Sequence, residues 1–188
     1  MNGIEPEGRL PPSPDQRFTP ALGRGPTVLN DSALRLFTRE ARWRRAVLEG
    51  LDPLAGERIL DVGCGTGTLA IAIKRRAGSA RVIGLDPDPH ALAIASIKAR
   101  ANDVDSEWQR GFAREAATGD RLASLDAITC TLVLHQVPIT EKLAGLAAIA
   151  AALKPSGRLL LADYGEQRSR LMRLLFRATV QLIDGQDD

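Results

Sequence analysis

One stretch restricts the chain more than any other: Arg58-Ile59-Leu60-Asp61-Val62-Gly63-Cys64-Gly65-Thr66-Gly67-Thr68-Leu69-Ala70. Its apolar start (Ile59, Leu60, Val62) is the short run that a central parallel strand requires. Glycines at alternate positions then allow a sharp bend and a close approach of the backbone to a ligand. A helix opening near Gly67 aims free N–H groups and a positive dipole end into the same space. The spacing is G-x-G-x-G. A dinucleotide loop reads G-x-G-x-x-G, and a phosphate loop would be followed by Gly-Lys-Ser/Thr. A nicotinamide-dependent oxidoreductase is disfavoured on that spacing and on the lack of a hydride-transfer set.

Two acids flank the bend. Asp61 precedes the first glycine, and Asp86 ends the next apolar run, Val82-Ile83-Gly84-Leu85. Asp86 falls about 20 residues on, where a carboxylate can accept hydrogen bonds from both ribose hydroxyls. The alternative is a tight turn with no ligand.

The rest of the chain alternates. Strands are predicted over 81–85, 107–109, 126–133 and 157–163, and helices over 69–76, 87–101, 140–153 and 167–184. An earlier helix, capped by Asn30 or Asp31, runs to about Glu49. It carries Arg35, Arg39, Arg42, Arg44 and Arg45, read as a solvated face or as a patch for acidic partners. Strands alternating with helices imply a parallel sheet with right-handed crossovers.

The 188 residues suffice for one domain with a core. Residues 1–26 hold six of the eleven prolines and read as a Pro/Gly-rich tail, partly ordered, before a domain over 27–188. A net charge of +2 gives no argument for a nucleic-acid partner. Cys64 and Cys130 lie far apart, without metal-ligand spacing, so no metal is expected and a reducing setting is the simpler reading. No apolar run reaches the roughly 18 residues of a transmembrane segment, and no leader pattern is visible, so the expected location is cytoplasmic.

The sequence resembles the class I S-adenosylmethionine-dependent methyltransferases. The likeness is carried by Asp61-Val62-Gly63-Cys64-Gly65-Thr66-Gly67, by Gly84-Leu85-Asp86 and by Leu153-Lys154-Pro155-Ser156-Gly157. Within that superfamily it is most similar to the quinone-biosynthesis branch. The tyrosine common there before the first helix is absent from Thr27-Val28-Leu29-Asn30-Asp31.

The resemblance implies an α/β, Rossmann-like three-layer sandwich with a mainly parallel sheet, lacking the last two strands of the usual seven. A truncated piece of a longer protein, an edge covered by a second subunit in a homodimer, or an edge covered by the N-terminal segment would each account for that. Truncation is favoured.

The resemblance also implies S-adenosyl-L-methionine as methyl donor and a small-molecule methyl acceptor. Asp61 and the backbone of Gly63, Cys64, Gly65 and Gly67 would hold its methionine part, Asp86 its ribose, and Pro87 would lie against adenine. At the third strand end the family places an acid on the adenine amino group, where this chain has Gly111-Phe112-Ala113. Phe112 cannot accept that bond. It stacks on the base or packs in the core, with the Ala113 N–H still available and Glu115 a substitute acid. Thr131 and Leu132 would run past the sulfonium. His135 is a candidate general base or a packing residue, and Tyr164 a candidate acceptor-facing residue or a packing one. A cofactor-binding protein or partner subunit without catalysis is the other function class.

Overall fold

In the computed structural model, which describes residues 40–163, the chain forms five parallel strands. They are β1 (Arg58–Val62), β2 (Arg81–Asp86), β3 (Glu107–Arg110), β4 (Leu125–Thr131) and β5 (Leu153–Ala162), ordered β3-β2-β1-β4-β5. The chain begins in the middle, winds outward to β3, then returns past β1 to β4 and β5. That reversal between β1 and β4 opens a crevice at the carboxyl ends of the strands. The helices are α1 (Glu40–Leu51), α2 (Thr68–Arg76), α3 (Pro89–Ala101) and α4 (Ile139–Ala152).

Side chains alternate across the sheet, and each face has its own core. Ile59, Val82 and Ala127 pack with Val47 and Leu51 of α1 and Leu69 and Ile73 of α2. Leu60, Val62, Ile83, Leu85, Ile128 and Cys130 pack with Ile149 and Ala152 of α4. The result is the expected three-layer α/β arrangement. Strands buried on both faces explain why these runs are continuously apolar. Each fully buried Ile, Leu or Val contributes about 1.5–3 kcal/mol.

The register of β1 matters most for the site. Asp61 lies on the α1/α2 face, opposite Leu85's neighbour Gly84 on one side and Thr129 on the other. At the other end of the strands, charges stitch the layers. Arg158 reaches both oxygens of Glu57, at 2.7 and 2.8 Å, and donates to the carbonyls of Leu51 and Asp52 at the end of α1.

Three boundaries differ from the sequence reading. β4 stops at Thr131, because Leu132 takes a left-handed φ of 57° and turns the chain into a 3-10 turn over Leu134–Gln136. β5 starts earlier, at Leu153, with the pairing jumping from Leu125↔Leu153 to Ala127↔Arg158. That irregularity accommodates Pro155, which cannot donate to a regular ladder. α3 begins at Pro89 in its first turn, with Asp88 as its cap accepting from the His90 N–H at 2.8 Å.

Among the described residues β3 and β5 are the sheet edges, and Leu159 and Leu161 are exposed on β5. The tail, the cap at Asn30 or Asp31, Tyr164 and the helix over 167–184 lie outside the described residues. Among the described residues no helix is long and apolar enough to cross a membrane.

Candidate functional site

The bend after β1 is built from hydrogen bonds that run back to β2. The N–H groups of Gly63 and Cys64 both donate to the Leu85 carbonyl, at 2.8 and 3.2 Å, and Gly67 N–H closes a turn on the Cys64 carbonyl at 2.9 Å. Gly63, Gly65 and Gly67 all have positive φ, at 68°, 51° and 74°. Their surroundings differ. A Cβ on Gly63 would stand 2.1 Å from Val133 Cγ2, and one on Gly67 would stand 2.5 Å from Trp108 and 2.7 Å from Ala95. A Cβ on Gly65 would meet nothing within 4 Å. Two glycines admit neighbouring side chains, and the middle one faces open space.

Gly65 N–H donates to Asp86 Oδ2 at 2.8 Å, and the Asp88 N–H takes Asp86 Oδ1 at 2.9 Å. The carboxylate thus fastens the bend to the end of β2. Each of its oxygens keeps a second lone pair for a hydroxyl. Burial raises the Asp86 pKa, against the Asp88 and Gly65 N–H groups, which favour its charge.

Asp61 is 1 % exposed. Thr129 Oγ1 donates to its Oδ1 at 2.6 Å, whereas its Oδ2 is buried without a hydrogen-bond partner. Burial pushes its pKa up to about 7, and the Thr129 hydroxyl and the Arg44 charge oppose this without cancelling it. Arg44 sits on α1, over the Trp43 ring at 5.2 Å. The sequence left it on a solvated face or in a patch for acidic partners. The structure makes its field part of the site.

Cys64 turns away from the crevice. Its Sγ would stand 2.8 Å from a Cβ on Gly84, beside Trp108. Burial pushes the Cys64 thiol far up, and the Cys130 thiol up to about 12. Burial thus disfavours the thiolate of both, which argues against a nucleophilic cysteine. No group of three or more metal-ligating side chains occurs among the described residues.

The other predicted residues lie at or just beyond the ends of β2, β3 and β4. Pro87 follows β2, and its carbonyl accepts from Arg110 Nε at 3.2 Å. Gly111 N–H donates to the Asp86 carbonyl at 3.1 Å, which brings Gly111-Phe112-Ala113 beside the end of β2. The Phe112 N–H donates to Glu115 Oε2 at 2.7 Å, and the Arg114 guanidinium lies 4.4 Å from the Phe112 ring centre. Phe112 is half-buried. Glu115 is folded back onto the position where the family places an acid. Thr131 ends β4, Leu132 follows it with a left-handed φ, and His135 lies in the 3-10 turn.

Sequence reasoning passed over several residues that shape the site. Val133 is seated on Gly63, and Trp108 lies under Gly67 and Gly84. Buried Arg121 donates to the carbonyls of Ala116 and Glu115, each at 2.8 Å, and to Gln109 Oε1. It braces the loop that carries Phe112. Lys98 of α3 reaches Thr66 and Thr68, at 2.9 and 2.7 Å. Asp163 meets the turn containing His135 with both carboxylate oxygens. A capping residue at Gly67 would have been visible in the sequence, and none is there: α2 opens with no side-chain cap. A helix start with no side chain at its cap, the buried Asp61 carboxylate and the open side of Gly65 fit a ligand with polar and charged groups.

Comparison with known proteins bears on which ligand. A family described as a methyltransferase domain matches residues 59–157. A demethylmenaquinone methyltransferase of Deinococcus radiodurans is 34 % identical over 139 residues, covering 74 % of this chain and 56 % of that protein. A ubiquinone biosynthesis O-methyltransferase of Paracidovorax citrulli is 36 % identical over 110 residues, covering 58 % and 44 %. The chain therefore spans about half the length of these curated relatives. Among solved structures, the cyclase SpnF superposes with a TM-score of 0.57 at 27 % identity, covering 64 % of this chain and 43 % of that one.

Proposed function

The chain belongs to the methyltransferase-domain family, and from that premise we propose that it binds S-adenosylmethionine in the bend after β1 and methylates a small organic acceptor. The names of the curated relatives favour an acceptor related to quinones. One observation carries the reading. Gly65 combines a positive φ with empty space on its Cβ side, while its N–H is fastened to an acid at the next strand end. Such a bend has no packing reason to be glycine at that position, and a ligand lying against it supplies one.

In this reading Asp61 and the backbone of Gly63, Cys64, Gly65 and Gly67 hold the amino-acid end of the cofactor. Asp86 holds the ribose. Pro87, Gly111, Phe112 and Ala113 border the adenine, and Thr131 and Leu132 flank the sulfur. Bound there, the cofactor supplies a methyl carbon made electrophilic by a positively charged sulfur. The chain's own residues then have two tasks. They place the acceptor atom in line with that carbon, and positioning alone lowers a barrier by several kcal/mol. They also take a proton where the acceptor must lose one, for which His135 is the candidate. Tyr164, outside the described residues, is proposed as a wall of the acceptor pocket.

The test is thermal unfolding with S-adenosylhomocysteine against NAD. At 100 times its dissociation constant, a ligand stabilises by about 2.7 kcal/mol. The expected result is a shift with S-adenosylhomocysteine alone, removed by Asp86→Ala. A shift with NAD alone would reverse the assignment.

A second reading is favoured by the likeness to SpnF, which is named a cyclase. Here the fold binds the same cofactor without transferring its methyl group, as a non-catalytic protein or a partner subunit. Cofactor consumption separates the two: a bound but unconsumed cofactor, in the presence of a methyl-accepting extract, supports the second.

A further inference from the structure

We infer that Arg121 is a positioning residue for the base of the cofactor: from within the protein, its guanidinium holds the segment 111–116 in its binding shape before the ligand arrives. This rests on the cofactor reading above and adds to it a residue outside the proposed contact set.

Arg121 is 6 % exposed and follows Asp120, whose carboxylate is turned to Arg58 and Arg81. Among the described residues the partners of Arg121 are neutral. Its Nε donates to the Ala116 carbonyl and its Nη2 to the Glu115 carbonyl, each at 2.8 Å, and its Nη1 donates to Gln109 Oε1. Burying a charge among neutral partners is costly, and hydrogen bonds to carbonyls offset only part of that. An apolar side chain would fill the same volume without the penalty. What the planar fork supplies is reach: one group spans three acceptors on two elements.

Those two elements are the ones that need joining. Glu115 and Ala116 form the end of the 3-10 turn Ala113–Glu115, which is only three residues long. So short a turn, with the poorer hydrogen-bond geometry of its class, does not hold its shape alone. Gln109 stands in β3 opposite Leu85, whose carbonyl takes the N–H groups of Gly63 and Cys64. The guanidinium thus ties the segment proposed to border adenine to the strands that back the glycine bend. The near end of the segment has fixings of its own. Phe112 N–H donates to Glu115 Oε2 at 2.7 Å, and a Cβ on Gly111 would stand 2.9 Å from Leu85 Cδ1. On the α4 side, a Cβ on Gly145 would stand 2.8 Å from that of Ala113. Arg121 secures the far end.

The consequence is a bias on the ligand-free chain. A ligand that fits one shape of the segment sees an apparent dissociation constant equal to the intrinsic one divided by the fraction of molecules in that shape. Arg121 keeps the fraction high. In Arg121→Lys the charge stays, but a compact ammonium cannot span the three acceptors. With about a tenth of the molecules left in shape, affinity falls about tenfold. The loss belongs to the base end of the ligand. A molecule with base and ribose but no amino-acid end therefore loses the same factor, and a bound ligand restores the shape.

The experiment pairs calorimetric titration with amide hydrogen exchange on the full chain, wild type and Arg121→Lys, at a temperature where circular dichroism shows both folded. The ligands are S-adenosylhomocysteine and 5′-methylthioadenosine, which lacks the amino-acid end. Both should bind the variant about tenfold more weakly. Exchange over residues 112–118 should quicken in the ligand-free variant and return to the wild-type rate once S-adenosylhomocysteine saturates it. Gln109→Ala removes one acceptor and leaves the guanidinium in place. It should show the same pattern at about threefold, and it carries the test if Arg121→Lys does not fold. A role confined to stability would lower the melting temperature and leave both dissociation constants unchanged, and that result overturns the inference. So does a loss for S-adenosylhomocysteine that 5′-methylthioadenosine does not share, or a wild type that holds the first ligand and not the second at millimolar concentration. A wild type that binds neither would overturn the cofactor reading instead, and it shows itself before any substitution is made.

Discussion

At the amino end of the sheet Glu57, Glu107, Asp120 and Asp126 meet arginine or lysine; at the carboxyl end Asp61 and Asp86 meet burial and backbone. The hydrogen bond from Arg158 lowers the Glu57 pKa, and that from Arg81 lowers the Glu107 pKa. The charge of Arg58 lowers that of Asp120. Burial raises that of Asp126, but the Arg58 N–H and Lys154 together outweigh it and leave it lowered. Asp61 and Asp86 move up, because burial is the largest influence on each. The same side-chain type is thus satisfied at one end of the strands and left in deficit at the other. A carboxylate in deficit destabilises the folded chain and is ready for a polar partner, which is the general relation between strained sites and function.

The contrast can be broken most forcefully inside the bend. Gly67→Ala adds a Cβ at 2.5 Å from Trp108 to a residue with φ of 74°. The left-handed conformation and the overpacking together should cost about 3 kcal/mol. Gly65→Ala has the same backbone problem and no clash, so its cost should be about 1–2 kcal/mol, with a disproportionate loss of S-adenosylhomocysteine affinity. Chemical denaturation paired with calorimetric titration separates the two. Equal losses of affinity per unit of lost stability would remove Gly65 from the site.

Next in size is Asp61→Asn. Folding raises the Asp61 pKa from the model-peptide value of about 3.9 to about 7. The folded state therefore binds the extra proton between these values, and wild-type stability from this group falls as pH rises through them. Above pH 7 the whole penalty is present. The ligand-free Asn variant should be more stable than wild type at pH 8, by on the order of 4 kcal/mol. The gap should narrow steadily toward pH 4. Denaturant midpoints at pH 8, 6 and 5 give the check, and a gap that widens on acidification would contradict the assignment of a deficit to this carboxylate. Binding of S-adenosylhomocysteine should weaken in the same variant.

The smallest effect belongs to the amino end. Arg81→Gln removes an exposed pair with Glu107 and a neighbour of Asp120. Exposed pairs contribute little and are screened. Its stability change should vanish in high salt, and S-adenosylhomocysteine affinity should be unchanged. Altered affinity would mean that the two ends of the strands are not independent.

The legible part of this molecule was what repeats locally. Alternate glycines, an acid before them and another at the next strand end were enough to put Asp61, Gly65 and Asp86 at the ends of two adjacent strands. Continuous apolar runs were enough for β1, β2, β4 and the later part of β5, whereas β3 (Glu-Trp-Gln-Arg) has none. The illegible part depended on side chains meeting across the sheet. Asp163 and His135 are 28 residues apart, and no spacing rule connects them. Trp108 read as a strand residue, because its place under Gly67 and Gly84 follows from β3 lying beside β2. Arg121 follows Asp120 directly in sequence, yet its partners are carbonyls and an amide. The left-handed Leu132 had no local signal at all, since glycine or asparagine is the usual choice there. Arg44 was misjudged as surface because helical periodicity says which face a residue shares, and not how far its charge reaches.

Trp108 has one more implication. The indole that floors the bend is planted in an edge strand of the described sheet, while the bend itself rises from its central strand. A disturbance at the margin of the sheet, such as another molecule lodging along β3, therefore has a direct mechanical route to the centre. The periphery of this protein holds the footing on which its middle stands.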